Sequence, residues 1–178
     1  ELLSQLSQGK AIALVTDAGM PLISDPGYEL VKACIAQGIS VVPIPGANAA
    51  ITALSAAGLA TDKFVFEGFL PAKSKERRTH LEILKSETRT IIFYESPHRL
   101  RETLQDLGTV LGEEREIVLA RELTKMHEEF WRGIIKDAIV HYTNREPQGE
   151  FTLVVAGATL EKPQLSEAVI KAELQNLL

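Results

Sequence analysis

The stretch Ala13-Leu-Val-Thr-Asp-Ala-Gly-Met-Pro-Leu-Ile-Ser-Asp-Pro-Gly27 decides how this chain reads, because it joins an apolar run to a loop of turn formers with two acidic residues. Residues 11–15 (AIALV) are apolar on both faces, as in a strand buried in a parallel sheet. From Thr16 to Pro26 two prolines forbid helix and one glycine permits a positive φ. The loop is therefore expected at the carboxyl end of a buried strand, where open α/β sheets place their ligands, and it reads as part of a cofactor site.

Upstream, Leu2, Leu3 and Leu6 have helical spacing, and Gly9 ends that helix. Downstream, Leu30, Val31, Cys34 and Ile35 form one face of a helix over 28–37, which Gly38 ends before a second apolar run at 39–44. Strand, helix and strand make a βαβ unit with a right-handed crossover. Pro45-Gly46 breaks the second strand, and an alanine-rich helix is expected over 47–57, its small residues allowing close approach to a backbone or a flat ligand.

A polar connection at 59–63 places a domain boundary, giving a first unit over 1–61, a second over 62–160 and a tail over 161–178. In the second unit strands are expected at 64–68, 89–94, 116–120 and 151–156, with a short edge strand near 128–133. Helices are expected at 74–86, capped by Ser74, at 97–111, at 134–142, and in the tail at 165–178. Strands alternating with helices make the fold class α/β, as two αβα lobes: a parallel first lobe and a mixed sheet in the second.

The formal net charge of -5 gives no global basic signature, so any nucleic-acid contact must be local. Cys34 is the only cysteine, which rules out an intrachain disulfide and favours the cytosol. The least polar stretch, 47–60, is too short to span a bilayer. The chain opens at Glu1 within a helix-like segment, which suggests a piece of a longer protein. Neither a dinucleotide fingerprint nor a phosphate loop is present, and His80, His98, His127 and His141 lack metal-ligand spacing.

What remains is a set of loops beside apolar runs, at 17–25, 45–50, 94–99, 121–125 and 149–151, which can converge on one cleft between the lobes. The segments VTDAGMPLISDPG (15–27), PIPGANAA (43–50), FVFEGFLPAK (64–73), FYESPHRL (93–100) and ARELTKMHEE (120–129), with Arg132-Gly133 beyond, together carry a resemblance. They resemble the tetrapyrrole methylase family of S-adenosylmethionine-dependent methyltransferases, in particular its branch that methylates the 2'-oxygen of a cytidine in 16S ribosomal RNA.

The resemblance implies a two-lobed α/β protein that binds S-adenosyl-L-methionine in a deep cleft, acts on the small ribosomal subunit and forms a homodimer. The family's first glycine-containing donor loop, on the opening strand, is not found, which implies an N-terminal portion outside this chain. By position, Ala18-Gly19-Met20-Pro21 corresponds to a donor-binding turn; Met20 stands where the family has an acidic residue, and Asp17 keeps a carboxylate nearby. Ile23, Ala49 and Ala50 match positions bordering the adenosine, and Tyr94 and Leu123 match positions near the adenine or the methionine part. The alternatives are a corrinoid or porphyrin C-methyltransferase and a non-catalytic nucleotide-binding module.

A ribose hydroxyl is a weak acid, so a carboxylate or lysine could take its proton; Glu95, Glu122 and Lys125 are candidates because they lie on strand-end loops, interlobe salt bridges being the competing role. Lys73, Lys75, Arg77, Arg78 and Lys85, with His98, Arg99 and Arg101, form the candidate phosphate-binding patch, and Tyr94 or Trp131 could stack on an unpaired base.

Overall fold

A computed structural model of the chain describes residues 1–159. The tail helix and the 161–178 unit expected from the sequence lie outside the described residues. In chain order the elements are α1 (Leu2–Ser7), α2 (Tyr28–Ala36), α3 (Ala49–Ala57), β1 (Phe64–Phe69), α4 (Ser74–Leu84), β2 (Thr90–Glu95), α5 (Leu100–Leu111), β3 (Glu116–Arg121), β4 (Glu129–Ile134), α6 (Ile135–Thr143) and β5 (Phe151–Val155).

The five strands form one mixed sheet in the order β1-β2-β5-β3-β4. Only β1 and β2 pair in parallel; the other three pairings are antiparallel. β2 and β5 take inner positions because they are apolar on both faces, and Ile91, Ile92, Phe93, Leu153, Val154 and Val155 are all fully buried. On one face Leu81 and Leu84 of α4, the Leu100/Leu104/Leu107/Leu111 stripe of α5, and Ile135, Ala138 and Tyr142 of α6 close the main core.

α3 covers the opposite face. Ala50, Ala53, Leu54 and Ala57 pack on Ile92, Val118, Ala120 and Val154, so the small side chains bring the helix backbone close to the sheet. Arg132 of β4 donates from Nη2 to the Ala56 carbonyl at 2.6 Å, satisfying one of the orphan acceptors at the C-terminus of α3. At the other end the Asn48 side chain accepts from the Ile51 amide at 3.1 Å, which starts the helix at Ala49 rather than at 47.

Three expectations are corrected. Residues 11–15 and 39–44 belong to no strand, and Val15 (81% exposed) and Ile44 (75%) face solvent. A buried parallel strand requires ladder partners and a helix on each face, and among the described residues these runs have no ladder partner; apolar composition alone does not supply one. Ser74 does not cap α4, since its hydroxyl donates to Asp106 instead, at 3.0 Å. α5 begins at Leu100, after a turn over Ser96–Arg99, so Pro97 precedes the helix.

Candidate functional site

The loop over 16–25, the start of α3 and the carboxyl ends of β1 and β2 meet around a cavity of about 430 Å³. One wall is loop: Thr16, Ala18, Gly19, Met20, Ile23, Ser24 and Asp25, with Asn48 and Ala49 beside them. The other is sheet: Phe69, Tyr94, Glu95 and the turn after it, and Glu150, Phe151 and Thr152 at the start of β5. A second depression, against α4, is lined by Pro71 and by Lys75, Glu76, Thr79, His80 and Ile83 on one face of that helix.

The loop wall is held in unusual backbone geometry. Gly19 (φ 75°) takes a conformation that suits glycine, but Leu22 (φ 74°) and Ser24 (φ 58°) adopt the left-handed region without that freedom. Such positions cost about 1–3 kcal/mol each and cluster at ligand sites. The small side chains of Ala18, Gly19 and Ala49 leave backbone exposed to the cavity, and Met20 packs toward Gly46.

The sheet wall is rigid. The Tyr94 hydroxyl accepts from the Ala50 amide at 3.3 Å, linking β2 to the first turn of α3, and burial pushes its pKa up against the weaker opposing effect of that bond. Its ring is flanked edge-on by Phe66 (5.0 Å between centroids) and Phe69 (5.6 Å). The Glu95 carboxylate is 1% exposed and accepts from the Thr103 hydroxyl (2.6 Å) and its neighbour Ser96 N–H (2.8 Å), with Arg99 at 3.4 Å. Arg99 also donates to the Leu70 carbonyl at 2.7 Å, fixing the chain just after β1.

Of the residues singled out in the sequence, Ala18, Gly19, Met20, Ile23, Ala49, Tyr94 and Glu95 line the cavity. Asp17, Ala50 and Leu123 do not: Ala50 touches the site through Tyr94, and Leu123 packs against the core beneath α3. Glu122 and Lys125 lie outside the lining, paired at 2.9 Å, and Lys125 also reaches Glu150 at 2.9 Å. Bonds from the Glu150 amide and then from Lys125 hold the Glu122 carboxyl below its ordinary range, while Glu150 and Glu122 raise the pKa of Lys125.

The proposed cationic patch divides. Arg77 is fully buried, a correction to its expected phosphate-binding role: its Nε donates to Asp106 at 2.7 Å and its Nη1 to the Ala72 carbonyl at 3.1 Å. Burial pushes the Asp106 carboxyl up, but hydrogen bonds from Arg78, Arg77 and Ser74 outweigh it and hold it low. Arg101 turns to the Tyr142 carbonyl at 2.8 Å and Lys85 to Glu82. Lys73 and Lys75 stay exposed, Lys73 paired to Glu76 at 3.2 Å, and His98 is also exposed. Trp131 packs against the main core and lies 5.6 Å from the His141 ring. Phe69, Asn48 and Ser24 were not recognised from sequence; the Glu67-Gly68 pair inside a strand pattern was the available sign of a bulge that re-aims Phe69.

The profile of a family described as Tetrapyrrole (Corrin/Porphyrin) Methylases matches residues 1–139. A Synechocystis protein named ribosomal RNA small subunit methyltransferase I is 57% identical over 179 residues, covering 100% of this chain and 64% of that relative. Proteins of the same name from Haemophilus influenzae and Thermotoga maritima are 56% and 49% identical, each over 88% of this chain and over 56% and 70% of their own lengths. The chain thus spans about half to two thirds of the length of the first of these relatives.

Among solved structures, the methyltransferase CobJ superposes with a TM-score of 0.64 at 21% identity, over 88% of this chain and 68% of that one. A Thermus thermophilus uroporphyrin-III C-methyl transferase, described as complexed with S-adenyl homocysteine, gives 0.59 at 16%, over 87% and 70%. At those identities the likeness is one of fold.

Proposed function

This chain belongs to the tetrapyrrole methylase family, and from that premise we propose that it is the core of an S-adenosyl-L-methionine-dependent methyltransferase acting on a cytidine 2'-oxygen of 16S ribosomal RNA. The observation that carries the reading is the level of identity: 49–57% to proteins named for the ribosomal RNA reaction, against 16% to the solved uroporphyrin-III C-methyl transferase. The protein is read as a cytoplasmic homodimer whose partner is the small subunit.

The cavity suits the donor. Its volume falls within the range of about 300–1,000 Å³ usual for ligand sites. Ala18, Gly19 and Ala49 let backbone approach a flat adenine, Ile23 and Tyr94 supply apolar contact, and Asp25 puts a carboxylate beside polar donor groups. When bound, the donor supplies an electrophilic methyl group, to which the ribose oxygen bonds as the methyl–sulfur bond breaks. The residues of the two walls would hold donor and acceptor together there, and such positioning can supply much of the acceleration.

The hydroxyl proton is not assigned to Glu95, Glu122 or Lys125. Glu95 is buried and already accepts three hydrogen bonds, and Glu122 and Lys125 are committed to each other, so none is a free base. Glu95 instead positions the turn after β2, and the Glu122–Lys125–Glu150 group shapes the rim. Lys73, Lys75 and Lys85 are the exposed lysines of the patch that can meet phosphates.

The test supplies labelled donor to the full-length protein with small subunits lacking the modification, and separately with a precorrin. Label in the subunit RNA alone is expected. Label in the macrocycle would establish the corrinoid reading, and donor binding without transfer to either would leave a binding module.

A further inference from the structure

β1 and β2 keep regular parallel register until Phe66↔Ile92, then shift, so that Gly68 opposes Phe93 and Phe69 opposes Tyr94. One extra residue at Glu67-Gly68 is thereby accommodated as a bulge. Its consequence follows from strand alternation: Phe66 points to the α3 face, and without the bulge Phe69, three residues on, would point to the opposite face, toward α4 and α5. With it, Phe69 shares the face of Phe66 and Tyr94, where the cavity lies. Bulges beside active sites commonly re-aim a side chain in this way.

The bulge is built for the purpose by glycine. Gly68 has φ 64°, and a Cβ there would lie 2.9 Å from Ser24 Oγ of the loop wall. Directly after Phe69, the Leu70 carbonyl is held by Arg99. The outcome is a large aromatic, 56% exposed, standing on a fixed backbone at the cavity. Of the other aromatics of that wall, Phe151 is buried, and Tyr94 is covered by the rings of Phe66 and of Phe69 itself and bonded to Ala50.

Resting on the reading of the site as one for RNA methylation, we infer that Phe69 is the platform on which the base of the acceptor nucleotide stacks while its ribose faces the donor. Single-stranded RNA is held by stacking splayed bases on aromatic rings, and such stacking is tolerant of base identity. Phe69 therefore positions the acceptor and leaves base selection to other groups.

The test uses the full-length protein with Phe69→Ala, Phe69→Leu and Phe69→Tyr, measuring kcat and KM for small subunits and, by calorimetry, donor affinity. Loss of stacking is expected to lower kcat/KM for the subunit by about 5- to 150-fold in Phe69→Ala and Phe69→Leu. Phe69→Tyr stays close to wild type, and donor affinity is unchanged in all three. Wild-type behaviour of Phe69→Leu would overturn the inference, since shape and apolarity would then suffice. Weakened donor binding with an unaltered subunit KM would overturn it too, by assigning Phe69 to the donor. If Phe69→Ala fails to fold, the contrast between leucine and tyrosine decides. A wild-type protein that binds donor yet methylates no subunit RNA would instead overturn the parent reading, and this inference with it.

Discussion

The two walls of the cavity are built by opposite means. The sheet wall stands on β2 and β5, whose side chains are buried on both faces, and on a buried ion pair behind the β1–α4 connection. The loop wall has no ladder; its shape depends on three residues at positive φ between 19 and 24 and on one helix cap at Asn48. A cleft of this kind needs both: fixed groups that define geometry, and backbone brought close enough to touch a ligand. Changes at the buried residues of the sheet side should therefore appear first as lost stability, and changes on the loop side as altered ligand affinity.

The strongest expected break in that contrast is at Asp106. Asp106→Ala removes the 2.7 Å partner of the buried Arg77 guanidinium, leaving only the longer contact with the exposed Glu102 at 3.5 Å, and is expected to destabilise by about 3 kcal/mol in urea unfolding; a loss below about 1 kcal/mol would mean that the pair is not part of the scaffold. The same residue gives a pH dependence. Its folded pKa is lowered, so its stabilisation is present above the ordinary aspartate value of about 4 and is lost as pH falls through the folded pKa. Wild type should thus lose stability below about pH 4 more steeply than Asp106→Ala, and parallel acid titrations of the two would contradict this.

Gly68→Ala comes next and joins the walls. Positive φ alone costs about 1–2 kcal/mol, and the contact with Ser24 adds to it, so both thermal stability and acceptor KM should suffer. Gly19→Ala has only the φ penalty, since a Cβ there meets nothing closer than the Ala47 carbonyl at 3.9 Å. Its expected signature is about 1 kcal/mol, read as weaker donor binding in calorimetry with a nearly unchanged melting temperature. The smallest effect belongs to the rim: Glu122→Gln and Lys125→Ala should each alter stability by less than about 1 kcal/mol and leave the methylation rate within tenfold. A fall of about 10²–10⁴ at either would reveal a proton acceptor.

The contrast also explains what could be read from sequence. The sheet wall was legible because TIIFY, EIVLA and FTLVV are short apolar runs whose burial is satisfied within the chain. The runs at 11–15 and 39–44 carry the same signature, yet the described residues give them no partner strand. Composition states a preference for burial and is silent on whether a neighbour is present. The loop at 17–25 was recognised as a ligand loop from its prolines, glycine and acids, and most of it does line the cavity. Arg77 was misread because a charge run on a helix does not reveal which of its members turns inward to meet a carboxylate 29 residues away. Phe69 was missed because a one-residue bulge reverses the face of everything after it, and ordinary alternation does not anticipate that.

The central claim, transfer of a methyl group to ribose oxygen, is tested most directly by the nucleosides released from treated subunits. After reaction of the full-length protein with labelled donor, the 16S RNA is digested to nucleosides and separated by chromatography. The account predicts label in 2'-O-methylcytidine alone. Label on a base carbon or nitrogen, or none in RNA beside a labelled precorrin, would contradict it.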